Sequence, residues 1–230
     1  MKKIASIFFK TDLCLKKGMS VNMKIEIDLK IILLLILFIL LKKVELYTIF
    51  IIFIFIHEIA HMIVGMMVGF VPKTLSLNPL GVSIEFYNYD KKKKSLKRII
   101  TYLAGPAVNF IIAFFISKMN FNYIIKFKVV YTNLLLGIFN LFPILPLDGG
   151  KIFKEILLNM VGNIKANIFM INITKIVLVI FSFIYSIAIF KIKNIAIFFI
   201  IVYLWYLYYV EYKKGKILIR AYEVMKGGYK

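Results

Sequence analysis

Two histidines and one glutamate form the most chemically informative stretch of the chain. The segment His57-Glu58-Ile59-Ala60-His61 contains both histidines of the sequence. On a helix, residues four apart lie on one face, so both imidazoles can reach a single metal ion. Zinc binds histidine nitrogen at about 2.0–2.1 Å, and a glutamate near its open coordination position can accept a proton from water. The spacing predicts that His57 and His61 are metal ligands and that Glu58 is a catalytic base.

A third ligand has to come from a carboxylate. A catalytic zinc usually takes three protein ligands, and the only cysteine, Cys14, precedes the first long apolar run. Most of the eleven acidic residues fall in loops or tails, whereas Asp148 closes an apolar run within 140–150. Pro143 and Pro146 interrupt backbone hydrogen bonding there, which a membrane tolerates only where protein or a water-filled cavity satisfies the backbone. We therefore predict Asp148 as the third ligand of one Zn²⁺ per chain.

The composition is that of a membrane protein. Of the 230 residues, 62% are apolar and 18% are charged, whereas soluble chains average about half apolar and about a quarter charged. A disordered chain is excluded, and a single cysteine excludes a disulfide scaffold. The net charge of +20 would suggest nucleic acid in a soluble chain. Here the basic residues lie between apolar runs, which indicates a lipid bilayer and no nucleic-acid partner.

Hydropathy predicts an all-α polytopic membrane protein with about six transmembrane helices. The predicted spans are 25–41, 46–68, 99–117, 129–147, 171–190 and 195–211. The first is the weakest, because it reaches full length only if Ile25, Ile27 and Leu29 join its apolar face. The loops on one side carry 23 basic residues and those on the other side carry 7, which predicts that both termini are cytoplasmic.

Two shorter features lie between these spans. Polar and apolar residues alternate on both sides of an Asn-Pro-Leu-Gly turn at 78–81, which predicts a small β-hairpin at 74–86 between the second and third helices. Gly105-Pro106 lies inside the third span and is expected to loosen that helix.

The predicted domain organisation is simple. Residues 1–24 are expected to be an N-terminal leader, with Met19 and Met23 as alternative starts. A single membrane domain covers 25–211, with its core at 46–150, and residues 212–230 form a short cytoplasmic tail.

Two other function classes compete with catalysis. An ionisable group near the bilayer centre costs about 2.5–3.5 kcal/mol, so a glutamate between two histidines there indicates a functional site. A metal-ion transporter would also use intramembrane histidine and carboxylate, but it predicts polar residues along a whole path, and spans five and six contain almost none. A non-enzymatic membrane scaffold leaves the histidine motif unexplained.

Both motifs resemble those of the site-2 proteases, a family of intramembrane zinc metalloproteases. Residues 57–61 resemble the first family motif, 140–150 the second, and 104–109 the Gly-Pro segment that opens the intervening core helix. The resemblance covers 46–150 and implies hydrolysis of a peptide bond in, or at the edge of, the membrane. It implies Zn²⁺ held by His57, His61 and Asp148, with Glu58 as the base. It also implies that Asn140 hydrogen-bonds the substrate.

Within that family the chain most resembles the branch of stage IV sporulation protein FB from spore-forming bacteria. The shared features are two helices after the aspartate motif, the 78–81 turn, and the Glu211-Tyr212 start of the tail. This resemblance implies a multi-pass protein of the outer forespore membrane that cleaves the pro-sigma-K factor, regulated by membrane proteins of the sporulation complex. That branch commonly carries nucleotide-sensing CBS segments, and the short stretch after Glu211 predicts no CBS domain here.

Overall fold

The structure is a computed structural model that describes residues 6–15, 19–28, 44–78, 81–87, 95–120, 122–192 and 195–227. These residues form two compact units, Met1–Phe139 and Asn140–Lys230. The strands are β1 (Ser6–Leu15), β2 (Met19–Asp28), β3 (Val71–Asn78) and β4 (Gly81–Tyr87). The helices are α1 (Val44–Met67), α2 (Ser95–Lys118), α3 (Tyr123–Asn140), α4 (Asp148–Val161), α5 (Asn163–Ile192) and α6 (Ile195–Gly227).

Helix α1, which carries the histidine motif, ends in a sharp turn that leads directly into β3. Gly69 has a φ of 92°, a left-handed conformation that glycine adopts without steric cost. The Phe70 N–H donates to the Gly65 carbonyl at 2.9 Å, and Lys97 Nζ donates to the Val68 carbonyl at 2.9 Å. These bonds satisfy one carbonyl in the last turn of α1 and one just after it, so the helix end is fixed relative to the strand that follows.

The four strands form one sheet in the order β1-β2-β3-β4. The antiparallel β3–β4 pair confirms the predicted hairpin. The other edge of β3 pairs in parallel with residues 24–27 of β2, which itself forms an antiparallel hairpin with β1. Among the residues that the structure describes, β1 and β4 are therefore the edge strands of the sheet.

The N-terminal strands correct the predicted start of the first membrane span. Residues 25–28 lie in β2 and not in a helix, and much of the predicted leader is strand. The physical reason is the alternation of Ile25 and Ile27 with Glu26 and Asp28, because a strand places the two sets on opposite faces. Residues 29–41 of that predicted span lie outside the described residues.

In the first unit, α1 packs against α2, α3 and the sheet. Ile54 of α1 and Leu136 of α3 are buried against each other, with Phe50, Phe53 and Leu75 packed around them. At the N-terminal end of α1, Lys128 and Glu45 form an ion pair of 2.6 Å.

In the second unit, a non-helical segment at 141–147 separates α3 from α4. This segment confirms that the predicted fourth span is broken at its prolines. The Leu145 N–H donates to Thr174 Oγ1 on α5 at 3.2 Å, and Phe142 packs edge-on against Phe181 at 4.9 Å between ring centroids. These contacts hold the segment against α5.

Helices α5 and α6 pack along each other in the same unit. Leu178 and Leu204 are fully buried, and Trp205 Nε1 donates to Ser182 Oγ at 3.0 Å. Helix α6 continues to Gly227, so residues 212–227 of the predicted tail are helical.

Three described helical segments are long and apolar enough to cross a membrane: Thr48–Met67, Ser95–Lys118 and Asn163–Ile187. They correspond to predicted spans two, three and five. The other three predicted spans are not confirmed. Large apolar side chains are exposed on these helices, including Ile52, Phe115 and Phe183 at 50%, 63% and 66%. Exposure of large apolar side chains on helices of this length suits contact with lipid.

Candidate metal centre

The two histidines of α1 point their Nε2 atoms at each other inside the protein. His57 and His61 are 3% and 6% exposed, and their Nε2 atoms lie 3.1 Å apart. Two nitrogens bound to a tetrahedral zinc at about 2.0–2.1 Å are separated by about 3.3–3.4 Å. The observed separation is therefore close to that of two ligands sharing one ion.

Gly105 on α2 brings the helix backbone close to both imidazoles. A Cβ atom at this position would lie 2.6 Å from Cε1 of His57 and closer still to Nε2 of both histidines. Ordinary contacts of a Cβ atom begin near 3.4 Å, so only glycine fits under these imidazoles. Helix α2 runs unbroken through Pro106 from Ser95 to Lys118. The expectation that Gly105-Pro106 loosens the helix is thus replaced by a different role, which is close approach of the backbone to the imidazoles.

A backbone carbonyl fixes the tautomer of His61. His61 Nδ1 donates to the Thr101 carbonyl oxygen at 2.6 Å. A carbonyl can only accept, so the proton of the neutral ring is on Nδ1, and the Nε2 lone pair is the one that can bind a metal. Thr101 Oγ1 donates to the Lys97 carbonyl one turn earlier, and Thr101 is buried.

His57 also has a partner at its Nδ1 atom, in this case a side chain. The Asn109 amide lies on His57 Nδ1, with a nitrogen-to-nitrogen distance of 3.0 Å, and Asn109 is fully buried. Sequence analysis assigned Asn109 only to a motif and missed this contact. The signal was present, because Thr101, Gly105 and Asn109 recur every four residues and so share one face of an apolar helix.

Asp148 is the first residue of α4 and is 4% exposed. Lys151 Nζ donates to Asp148 Oδ1 at 3.1 Å. His57, His61 and Asp148 form a candidate metal-binding site, since one ligand atom from each lies within 4.8 Å of the others. Two imidazoles and a carboxylate, all buried, are a donor set that suits a catalytic zinc with one open position.

The two glycines after Asp148 allow α4 to start against the non-helical segment. A Cβ atom at Gly149 would meet the Leu141 carbonyl and would lie 2.7 Å from the Phe142 carbonyl oxygen. At Gly150 it would lie 2.5 Å from the Ile144 carbonyl. Backbone atoms cannot move aside without disturbing the fold, so a larger residue at either position would clash with the non-helical segment. The two glycines after Asp148 are therefore needed for α4 to begin at Asp148.

The two remaining predicted site residues, Glu58 and Asn140, lie in α1 and α3. Glu58 follows His57 in α1 and is half-buried, and Asn140 is the last residue of α3 and is also half-buried. Their roles as catalytic base and substrate-binding residue stay predictions.

Comparison with known proteins gives a consistent result. A model of peptidase family M50 matches residues 45–124 and 117–184. A zinc metalloprotease of Methanocaldococcus jannaschii is 30% identical over 138 residues, which are 56% of this chain and 39% of that relative. The chain thus aligns with well under half of the length of this curated relative.

A solved structure described as the site-2 protease from Methanocaldococcus jannaschii has the same fold. Its TM-score is 0.66 at 24% identity, covering 88% of this chain and 95% of that one. The zinc prediction is supported by the relative's description and by the candidate metal site. Because the family model matches well over half of its residues, the chain belongs to peptidase family M50.

Proposed function

We propose that the chain is an intramembrane zinc metalloendopeptidase that cleaves a membrane-tethered protein. The observation that carries this proposal is the convergence of two buried imidazole nitrogens above Gly105, beside a glutamate, in a helix apolar enough to span a membrane. A metal-transport role would need polar groups along a path across the bilayer, whereas the two imidazoles, the Thr101 carbonyl and the Asn109 amide meet at one place between α1 and α2.

In this proposal His57, His61 and Asp148 hold the zinc. When bound, the metal supplies a Lewis acid and lowers the pKa of a coordinated water toward about 7. Glu58 accepts the proton of the attacking water as the new C–O bond forms, and it later returns this proton to the leaving amine as the peptide C–N bond breaks. Asn140 orients the substrate backbone by hydrogen bonding.

The substrate has to reach the site in an extended form. A helix hides its amides in i→i−4 hydrogen bonds, so a transmembrane substrate must unwind locally before hydrolysis. The β4 strand supports a route for this step, because it forms an edge of the sheet and can accept an additional strand. The sheet is joined to α1 through the turn at Gly69, close to the histidine motif in the chain.

We extend the proposal to a biological setting on the strength of the sequence motifs. The chain is proposed to be a multi-pass protein with both termini in the cytoplasm. Its proposed substrate is the pro-sigma-K factor, and its proposed partners are regulatory membrane proteins of the sporulation complex.

Co-expression with membrane-tethered candidate substrates tests the proposal. Cleavage by the wild type and none by Glu58→Gln is the expected result, with an unchanged amount of protein in the membrane fraction. Equal cleavage by both proteins would show that another enzyme of the host is responsible, and absence of zinc from the purified wild type would remove the metal mechanism. Replacing the substrate with pro-sigma-K tests the sporulation assignment separately.

A further inference from the structure

We infer that Asn109 is a positioning residue of the metal centre, whose amide oxygen accepts the Nδ1 proton of His57 and thereby presents the Nε2 lone pair to the ion. This inference rests on the proposed zinc site. It concerns a residue that does not itself bind the metal, and it assigns that residue one definite hydrogen bond.

The first observation is the contact itself. The Asn109 side chain is 0% exposed, and its terminal amide lies 3.0 Å from His57 Nδ1. His57 is 3% exposed, so no water competes at this face of the ring. Burying an amide in an apolar helix bundle costs free energy unless the amide forms hydrogen bonds, so the hydrogen bond to His57 is expected to offset the burial of Asn109.

The second observation concerns the amide oxygen. With the nitrogen facing the ring, Asn109 Oδ1 is buried and has no hydrogen-bond partner among the residues that the structure describes. The two ends of an amide are alike in size, so hydrogen bonding decides which end faces the imidazole. Turning the amide by about 180° gives the oxygen a donor, which is His57 Nδ1–H.

The chemistry of the ring selects between the two orientations. A neutral imidazole carries one proton, and a ring that binds metal through Nε2 must carry it on Nδ1. An amide nitrogen facing Nδ1 would donate to it and force the proton onto Nε2, which would block metal binding. An amide oxygen facing Nδ1 accepts the proton and keeps Nε2 available.

His61 provides the internal precedent. Its Nδ1 donates to the Thr101 carbonyl at 2.6 Å, and Thr101 lies two turns before Asn109 on the same face of α2. Gly105 lies between them in the sequence and brings the backbone of α2 close to both imidazoles. One face of α2 therefore supplies an acceptor for each imidazole, one from the backbone and one from a side chain.

The test measures metal affinity directly, using the purified full-length protein in detergent with Co²⁺ as the probe. Titration of Co²⁺ against a chelator gives the affinity, and the visible Co²⁺ absorption reports the ligand set. Loss of an outer-shell partner weakens metal binding by about 10- to 100-fold, which is the expected result for Asn109→Leu. Asn109→Asp keeps an acceptor on Nδ1–H and should bind within about threefold of wild type.

Asn133→Leu is the matched control. Asn133 is also an asparagine with 0% exposure, its Oδ1 is also buried without a partner among the described residues, and its Nδ2 donates to the Val129 carbonyl at 2.9 Å. Its substitution removes the same kind of buried amide from α3, where its hydrogen bond is to the backbone of its own helix and not to a histidine, so the Co²⁺ affinity should stay at the wild-type value. A purely structural effect of losing a buried amide would appear in both variants.

Three outcomes would overturn the inference. These are wild-type affinity in Asn109→Leu, equal losses in Asn109→Leu and Asn133→Leu, and an Asn109→Asp protein that binds as weakly as Asn109→Leu. If Asn109→Leu does not accumulate, Asn109→Ala and Asn109→Asp provide the same comparison. A wild-type protein that binds no Co²⁺ would instead contradict the proposed metal site, so the two failures are distinguishable.

Discussion

Replacing Gly105 with alanine should separate metal binding from folding. The added methyl carbon would lie 2.6 Å from Cε1 of His57 and closer still to Nε2 of His57 and of His61. To restore a contact of 3.4 Å, the imidazoles must move by at least about 0.8 Å, whereas zinc ligands tolerate deviations of about 0.2 Å. We expect the ion to lie beside Gly105, so the methyl group would also take part of its space.

The expected result is a folded protein that does not bind metal. The atoms in the way belong to the ends of two side chains, which can rotate, so the fold should survive. Metal affinity should fall by more than the roughly 100-fold that marks the upper range for loss of an outer-shell partner. Zinc at about 100 times its Kd stabilises a protein by about 2.7 kcal/mol, so added zinc should raise the Tm of the wild type and leave that of Gly105→Ala unchanged.

Gly137→Ala is the appropriate control for this experiment. A Cβ atom at Gly137 would lie 2.9 Å from Cζ of Phe110, so the substitution also introduces a close contact with a movable ring between helices. It should lower the Tm without zinc and keep the zinc-dependent increase. A Gly105→Ala protein that binds zinc as tightly as the wild type would refute the assignment of the ion to the space above Gly105.

Three further predictions concern catalysis and substrate access. Glu58→Gln should abolish cleavage and retain one zinc per chain by elemental analysis, because the glutamate is a base and not a ligand; a zinc-free variant would contradict that role. Asp148→Asn should lower zinc content and cleavage together, since the amide is a poorer ligand than the carboxylate. The control is Glu223→Gln at an exposed position, which should keep both properties. Normal zinc content and cleavage in Asp148→Asn would leave the third ligand unassigned. Proline at Ser83 or Ile84 in the β4 edge strand should slow cleavage without changing zinc content, and full activity in both would exclude strand addition at this edge.

The sequence predicted the features that depend on local patterns. The His-Glu-x-x-His spacing, the long apolar runs and the prolines of 143–146 each act within a few turns of helix, and the structure has the corresponding helices and the break between them. The β3–β4 hairpin followed from a turn signal and alternation, which are also local.

The N-terminal strands were missed because the alternation of apolar and polar residues, which has the two-residue period of a strand, was interpreted as part of a helical membrane span. Residues 21–28 alternate strictly between apolar and polar side chains, which is typical of a strand. The apolar run that follows favoured a membrane span, and Ile25 and Ile27 were assigned to it. Parallel pairing of β2 with β3 joins residues about 50 positions apart, and no sequence window contains both.

The contacts around the histidines were beyond prediction for the same reason. Asn109 contacts a ring 52 positions earlier, and Gly105 faces the same imidazoles. Which face of α2 meets α1 depends on how the two helices pack, and apolar runs exposed to lipid on several sides do not define that face. A repeat of small and polar residues every four positions is the pattern that identifies it.

The different partners of the two imidazoles imply different sensitivity to sequence variation. The acceptor for His61 is the backbone carbonyl of Thr101, which every amino acid carries, so substitutions of similar size at position 101 preserve this hydrogen bond. The acceptor for His57 belongs to one side chain, so a single nucleotide change in the Asn109 codon can remove it. Random mutagenesis with selection for activity should therefore recover serine, alanine or valine at position 101, and at position 109 little besides asparagine and aspartate.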